Sequence, residues 1–176
     1  MGYVWVCYCT ELFKTCTAAN HQAIFRNVGI EPVDYAYYDP RTIGLDFTGF
    51  LNALSEAPTR SVFLLHACAH NPTGVDPTRE QWKEIAKIML DKKHYAFFDC
   101  AYQGFASGDL DNDAWAVRYF VDAGVPLLVC QVCLPTFSTV KVLMDVHRAL
   151  QRMPDCTVNG SEHFTLCHRT KRLRIG

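Results

Sequence analysis

Residues 61–76 read SVFLLHACAHNPTGVD, and residues 95–104 read YAFFDCAYQG. Each begins as a short apolar run without alternation and then breaks into polar residues. Runs of that kind are expected of strands buried on both faces of a parallel sheet. Between them, Thr78 with Gln81 makes a capping-box pattern, and Trp82, Ile85, Ile88 and Met89 recur at helical spacing. Strand, helix and strand in that order form the repeating unit of an α/β layer.

The alternation continues in both directions. Upstream, the pattern predicts a helix over residues 21–27 that stops at Gly29, a strand over 33–38, and a helix after Asp46 that buries Phe47, Phe50, Leu51 and Leu54. Downstream, it predicts a strand over 95–98 ended by Asp99, a helix over 113–123 closed by Gly124, and a strand over 126–130. The fold class is therefore α/β with a mostly parallel sheet, spanning about residues 20–131.

The 176-residue chain is 49% hydrophobic and 20% charged, with a formal net charge of −1. That is enough apolar material for a core, and it leaves no electrostatic case for nucleic acid or a membrane surface as partner. The apolar opening at residues 3–8 is too short to span a bilayer and lacks the basic stretch of a signal peptide. The protein is read as cytoplasmic, with a mitochondrial location as the alternative. Nine cysteines without an export signal point to thiols and not to a disulfide framework.

Six of the nine cysteines fall in residues 1–16 and 132–176. The formal charge is −5 over residues 17–131 and +4 over residues 132–176. The chain thus divides into a flank over 1–16, a central layer over 17–131, and a basic tail over 132–176. An amphipathic helix is expected in the tail over residues 138–153, through Val142, Leu143, Val146, Leu150 and Met153.

In an open parallel sheet, ligands bind beyond the carboxyl ends of the strands, so the polar residues after each apolar run are the ones to inspect. Those residues are His66 through Gly74 and Asp99 through Gly104. A carboxylate at the end of a buried strand needs a cationic or hydrogen-bonding partner. One such partner is the protonated nitrogen of a pyridine cofactor, with Tyr102 and Asn71 placed to bond the ring hydroxyl. Taken alone, Asp99 also fits a helix cap or a bond to its own loop, and Asn71-Pro72 also fits a turn, with a trans or a cis peptide.

Together, the run from His66 to Asp76 with Trp82, and the run from Phe98 to Gly108, resemble the aspartate aminotransferase family. The resemblance extends to Asn20-His21, to Gly44-Leu45-Asp46 and to the stretch from Asp113 to Arg118. It implies part of the large domain of a fold-type-I enzyme dependent on pyridoxal 5'-phosphate. Such an enzyme is a homodimer that exchanges an amino group between L-aspartate and 2-oxoglutarate, yielding oxaloacetate and L-glutamate. By the same resemblance, Asp99 pairs with the pyridine nitrogen, Tyr102 and Asn71 bond the ring hydroxyl, and Asn71 meets the substrate carboxylate. His21 and His66 support Asp99 from behind, while His70 and His94 are given no role.

The sequence departs from the family at both ends. Ala18 stands where the family stacks a tryptophan on the ring, Cys16 where it has a proline, and Pro135 at the place of the Schiff-base lysine. With no amine at residue 135, no catalytic residue is assigned, and the chain is expected to be inactive. Lys141 is the nearest downstream lysine, six residues out of register and placed by its pattern on a helix.

Two other readings come from other classes. Cys130 and Cys133, with Cys156, His163, Cys167 and His168, have partial zinc-ligand spacing, but the remaining gaps match no common finger. Asp109, Asp111 and Asp113 resemble the start of a calcium loop, which fails at Ala114 and Phe120, so a solvated turn capping the next helix is expected. No metal site is assigned. A non-catalytic chain that pairs with an intact protomer is the further alternative.

Overall fold

The computed structural model describes residues 4–8, 18–132, 140–144 and 165–166, with side chains from residue 21 to residue 131. In chain order the elements are β1 (Val4–Tyr8), α1 (Ala18–Asn27), β2 (Pro32–Ala36), β3 (Tyr38–Asp39), β4 (Gly44–Leu45), α2 (Phe47–Glu56) and β5 (Val62–His66). There follow α3 (Arg79–Asp91), β6 (Tyr95–Cys100), α4 (Leu110–Asp113), α5 (Trp115–Ala123), β7 (Leu127–Val132), β8 (Val140–Met144) and β9 (Thr165–Leu166). One sheet runs in the order β2-β1-β5-β6-β7-β8-β9, and β3 pairs with β4 in a separate ribbon. From β2 through β7 every neighbouring pair is parallel, as the unbroken apolar runs predict.

The helix boundaries follow their capping chemistry. Asp46 accepts a hydrogen bond from the Gly49 amide at the start of α2, and Thr78 and Gln81 form the reciprocal capping box of α3. Gly124 ends α5 in the left-handed conformation at φ 83°, a geometry that a residue without Cβ adopts without strain.

The layer is covered on both faces, with most of the core on one side. There Phe50 and Leu54 of α2, Trp82, Ile85 and Met89 of α3, and Phe120 of α5 close over Phe63, Leu65, Ala96 and Phe98 of the sheet. The rings of Trp82, Phe98 and Phe120 meet pairwise at centroid distances of 5.1 to 5.8 Å, in tilted and edge-on contacts. On the other face, Phe25 of α1 and Ile30 pack with Leu64 and Phe97. Burial of each large apolar side chain contributes roughly 1.5–3 kcal/mol, so the aromatic face carries the larger share of the stabilisation.

Four expectations are corrected. Residues 140–144 are a strand, antiparallel to β7, where the spacing predicted a helix over 138–153. The unpaired backbone groups of β7 recruit a partner, and the β-branched Val140 and Val142 suit one. The rest of that expected helix lies outside the described residues. Next, β6 continues through Asp99 to Cys100 instead of stopping before Asp99, and the helix expected over 113–123 begins only at Trp115, preceded by the separate short helix α4. Finally, Asp113 is no solvated turn residue. It is buried, and its carboxylate accepts hydrogen bonds from the Gly104, Ala106 and Ser107 amides and the Ser107 hydroxyl.

Candidate functional site

The parity of two strands brings the chemistry to one face. Along β6, Ala96, Phe98 and Cys100 face the large core, so Asp99 points the other way with Phe97, toward α1. Along β5, Phe63 and Leu65 face the large core, and Leu64 and His66 turn toward α1. The β5–β6 register then pairs His66 directly with Asp99. Helix α1, docked on that face through Phe25 against Phe97, supplies His21, whose Nε2 lies 3.0 Å from Asp99 Oδ2. The three residues that the sequence singled out around this carboxylate are therefore neighbours in space.

Asp99 is ionised at neutral pH. Burial opposes its charge, but the hydrogen bond donated by His21, with the adjacent imidazoles, outweighs that and holds the carboxyl below the ordinary carboxylate range. His66 is pushed down to about 4, chiefly by burial, with Asp99 opposing the shift and His21 adding to it. A neutral His66 thus stands behind an anionic Asp99.

His70 belongs to the same row. Its ring lies 4.6 Å from that of His66 and stacks at 3.8 Å on Tyr37, and its Nδ1 is 2.8 Å from Thr73 Oγ1. Burial pushes its pKa down as well, with help from His66 and His21. His94, by contrast, is a structural residue: it accepts from the Ser61 amide and bonds the Leu54 carbonyl in the interior.

The loop after β5 is held by Asp76. Its carboxylate accepts from the Ala69 amide at 2.6 Å and the His70 amide at 2.8 Å, fixing a turn in which Ala69 has φ 47°. A non-glycine residue in that region is sparsely populated and persists where surrounding bonds over-determine it. The Asn71-Pro72 peptide is cis. Asn71 Nδ2 donates to the Tyr102 hydroxyl at 3.5 Å, which joins the loop after β5 to the loop after β6. Tyr102 is exposed, and the loop that carries it is pinned from beneath by Asp113. Neither Asp76 nor Asp113 was singled out for this role, because no local pattern marks an acceptor for amides six to nine residues away.

The arrangement offers an ionised, half-buried carboxylate at the carboxyl end of β6, with Tyr102 and Asn71 bonded to each other on the loops that follow β6 and β5. This donor and acceptor set fits a cationic heteroaromatic nitrogen on Asp99 and a ring hydroxyl on Tyr102 and Asn71. Residue 135, the expected place of the lysine, lies outside the described residues, as do Cys133, Cys156, His163, Cys167 and His168 of the zinc reading. Cys130 is on β7 and free, and Cys68 and Cys100 are free and buried.

The family model described as aminotransferase class I and II matches residues 12–138. A mitochondrial aspartate aminotransferase of Xenopus tropicalis is 55% identical over 112 residues, which are 64% of this chain and 26% of that protein. A cytoplasmic aspartate aminotransferase of Dictyostelium discoideum is 56% identical over 112 residues, again 64% of this chain and 26% of that protein. The structure of the cytoplasmic aspartate aminotransferase of Saccharomyces cerevisiae matches at TM-score 0.67 and 50% identity, covering 74% of this chain and 31% of that one. The chain spans about a quarter of the length of these curated relatives. The family model covers well over half of the chain, and the chain belongs to the class I and II aminotransferases.

Proposed function

We propose that residues 17–131 carry the ring-binding half of an aspartate aminotransferase site, and that this chain does not itself transfer amino groups. In this reading Asp99 holds the proton on the pyridine nitrogen of pyridoxal 5'-phosphate. His21 keeps Asp99 ionised and oriented, and His66 closes the cavity behind both. Tyr102 and Asn71 bond the ring hydroxyl, and Asn71 also meets the carboxylate of L-aspartate or L-glutamate. When bound, the cofactor's protonated ring supplies an electron sink for the substrate's α-carbon. The observation that carries the reading is the hydrogen bond between His21 and Asp99 at the carboxyl end of β6.

Loss of activity follows from Pro135 at the place of the family's lysine, since an amine there is both anchor and proton carrier. Lys141 is a poor substitute: the β7–β8 register sets it opposite Gln131, in the row of Cys100 and not in the row of Asp99. Lys83 and Lys87 belong to α3, and Lys92 and Lys93 to its C-terminal turn, across the sheet from α1. The test is to add pyridoxal phosphate to the purified chain, reduce with borohydride and map the product. The expected result is reversible binding that Asp99→Asn weakens, no stoichiometric lysine adduct, and no conversion of L-aspartate and 2-oxoglutarate to oxaloacetate and L-glutamate. An adduct on one lysine together with turnover would overturn it.

A second reading, pairing with an intact protomer, draws on exposed apolar side chains. Val28 beyond α1 is 69% exposed, and Phe105 and Leu110 beside the site are 70% and 61% exposed. Co-purification with a full-length aminotransferase in stoichiometric amount is the result expected of it. The relatives include both cytoplasmic and mitochondrial enzymes, and either compartment accommodates this proposal.

A further inference from the structure

His21, His66 and Asp99 each present one ligand atom, and the three atoms lie within 4.8 Å of one another. Two imidazoles and one carboxylate are a donor set suited to zinc and its first-row neighbours. Independently of that grouping, His66 Nε2 is buried without a hydrogen-bond partner among the described residues, and His66 is only 6% exposed. A buried polar atom without a partner costs about 1–3 kcal/mol, and folded proteins keep few of them. The cofactor reading leaves that nitrogen unsatisfied, because it uses only the open edge of Asp99.

We propose that His21, His66 and Asp99 form a site for one divalent first-row transition ion, of which Zn2+ is the representative. The ion takes one ring nitrogen from each histidine and one oxygen from Asp99. Metal–ligand bonds of about 2.1 Å place neighbouring ligand atoms about 3.4 Å apart. The 3.0 Å separation of His21 and Asp99 already approaches that value, and a separation at the 4.8 Å limit must shorten by about 1.4 Å, within reach of side-chain rotation. Three protein ligands leave a coordination position open for water or another small donor. The ion and the pyridine nitrogen would claim the same carboxylate, so occupation of this site opposes cofactor binding. The inference does not rest on the cofactor reading, since it asks only what these three side chains bind.

The experiment uses the full chain, reduced and stripped with a chelator, and titrated with Co2+ and then Zn2+ in the absence of pyridoxal phosphate. The expected result is one equivalent of Co2+ with visible ligand-field bands and no sulfur-to-metal charge-transfer band, displaced by one equivalent of Zn2+. His21→Asn, His66→Gln and Asp99→Asn, each checked for folding by circular dichroism, should weaken binding at least tenfold, and Cys156→Ser should leave it unchanged. X-ray absorption of the zinc-loaded parent chain adds a reading that needs no variant, with two imidazoles and no sulfur in the coordination shell. Sulfur ligation, binding unaltered in folded variants of the three residues, or no binding at tenfold excess metal would each overturn the proposal. Because no step uses pyridoxal phosphate, failure here leaves the cofactor reading to its own test.

Discussion

His21 Nε2 donates to Asp99 Oδ2 at 3.0 Å across 78 residues of sequence, tying helix α1 to the carboxyl end of β6. Besides the packing of Phe25 and Ile30 against Leu64 and Phe97, and the exposed hydrogen bond from Gln22 to Asp34 of β2, this is a polar link that seats α1 on its face of the sheet. Both partners are largely shielded, with side-chain exposures of 16% and 26%, so the bond to an ionised acceptor is worth more than a surface pair. His21→Ala is expected to lower unfolding stability by about 1–2 kcal/mol in urea titration. If α1 holds by packing alone, His21→Ala and the parent will share one midpoint.

Acid should loosen the same region first. Below pH 6.5 the histidine of an unfolded chain gains a proton, whereas folded His66 refuses it until about pH 4. The unfolded state therefore binds more protons across that window. His66 contributes stability that is full above pH 6.5 and lost as pH falls toward 4, on the order of 3 kcal/mol in total. Asp99, whose folded pKa is depressed, adds stability above its ordinary range and loses it at still lower pH. Melting temperature measured from pH 7 to pH 4 should fall steeply for the parent and less for His66→Asn. Parallel curves for the two proteins would show that His66 does not carry the effect.

The helical caps offer a more local check. Thr78 and Gln81 satisfy each other's end of α3 through both halves of the capping box, at 3.2 and 2.8 Å. Thr78→Ala removes the side-chain acceptor and is expected to cost about 1 kcal/mol. Thr78→Ser keeps the oxygen and should recover most of that loss in the same titration.

The parts of the molecule legible in the sequence are those set by local chemistry. The runs at 61–66 and 95–100 read as buried strands because both faces are apolar, and α2 and α3 announce themselves by cap and stripe. Strand β8 was not legible, since Val142, Leu143 and Val146 fit a helical stripe equally well. Its conformation follows from the open edge of β7, a tertiary circumstance. The apolar segment at 4–8 likewise gave no sign that it would pair with both β2 and β5. Asp99, Asn71 and Tyr102 were candidates because strand ends are where such sheets bind ligands, whereas His21 and His66 gained a role only through the family resemblance. His70 was passed over because its place is fixed by stacking on Tyr37. No spacing rule could assemble His21, His66 and Asp99 as a ligand set, since they come from three separate elements.

Asp113 ties the site loop to the core, and its replacement separates structure from chemistry. Its buried carboxylate accepts from the Gly104, Ala106 and Ser107 amides at 2.7 to 3.1 Å and from the Ser107 hydroxyl at 2.6 Å. Those bonds hold the turn directly after Tyr102, so the position of the Tyr102 hydroxyl depends on a residue eleven positions further along. Asp113→Ala removes the acceptor shared by three amides and a hydroxyl and should destabilise the chain by about 1–3 kcal/mol, since the acceptor lost is a buried, ionised group. Asp113→Asn retains one acceptor oxygen and should fall between the two. Limited proteolysis supplies the local readout: cleavage within residues 101–109 is expected to accelerate in Asp113→Ala at temperatures where far-ultraviolet circular dichroism is unchanged. Equal cleavage rates in the parent and Asp113→Ala would mean that the loop is held by other contacts.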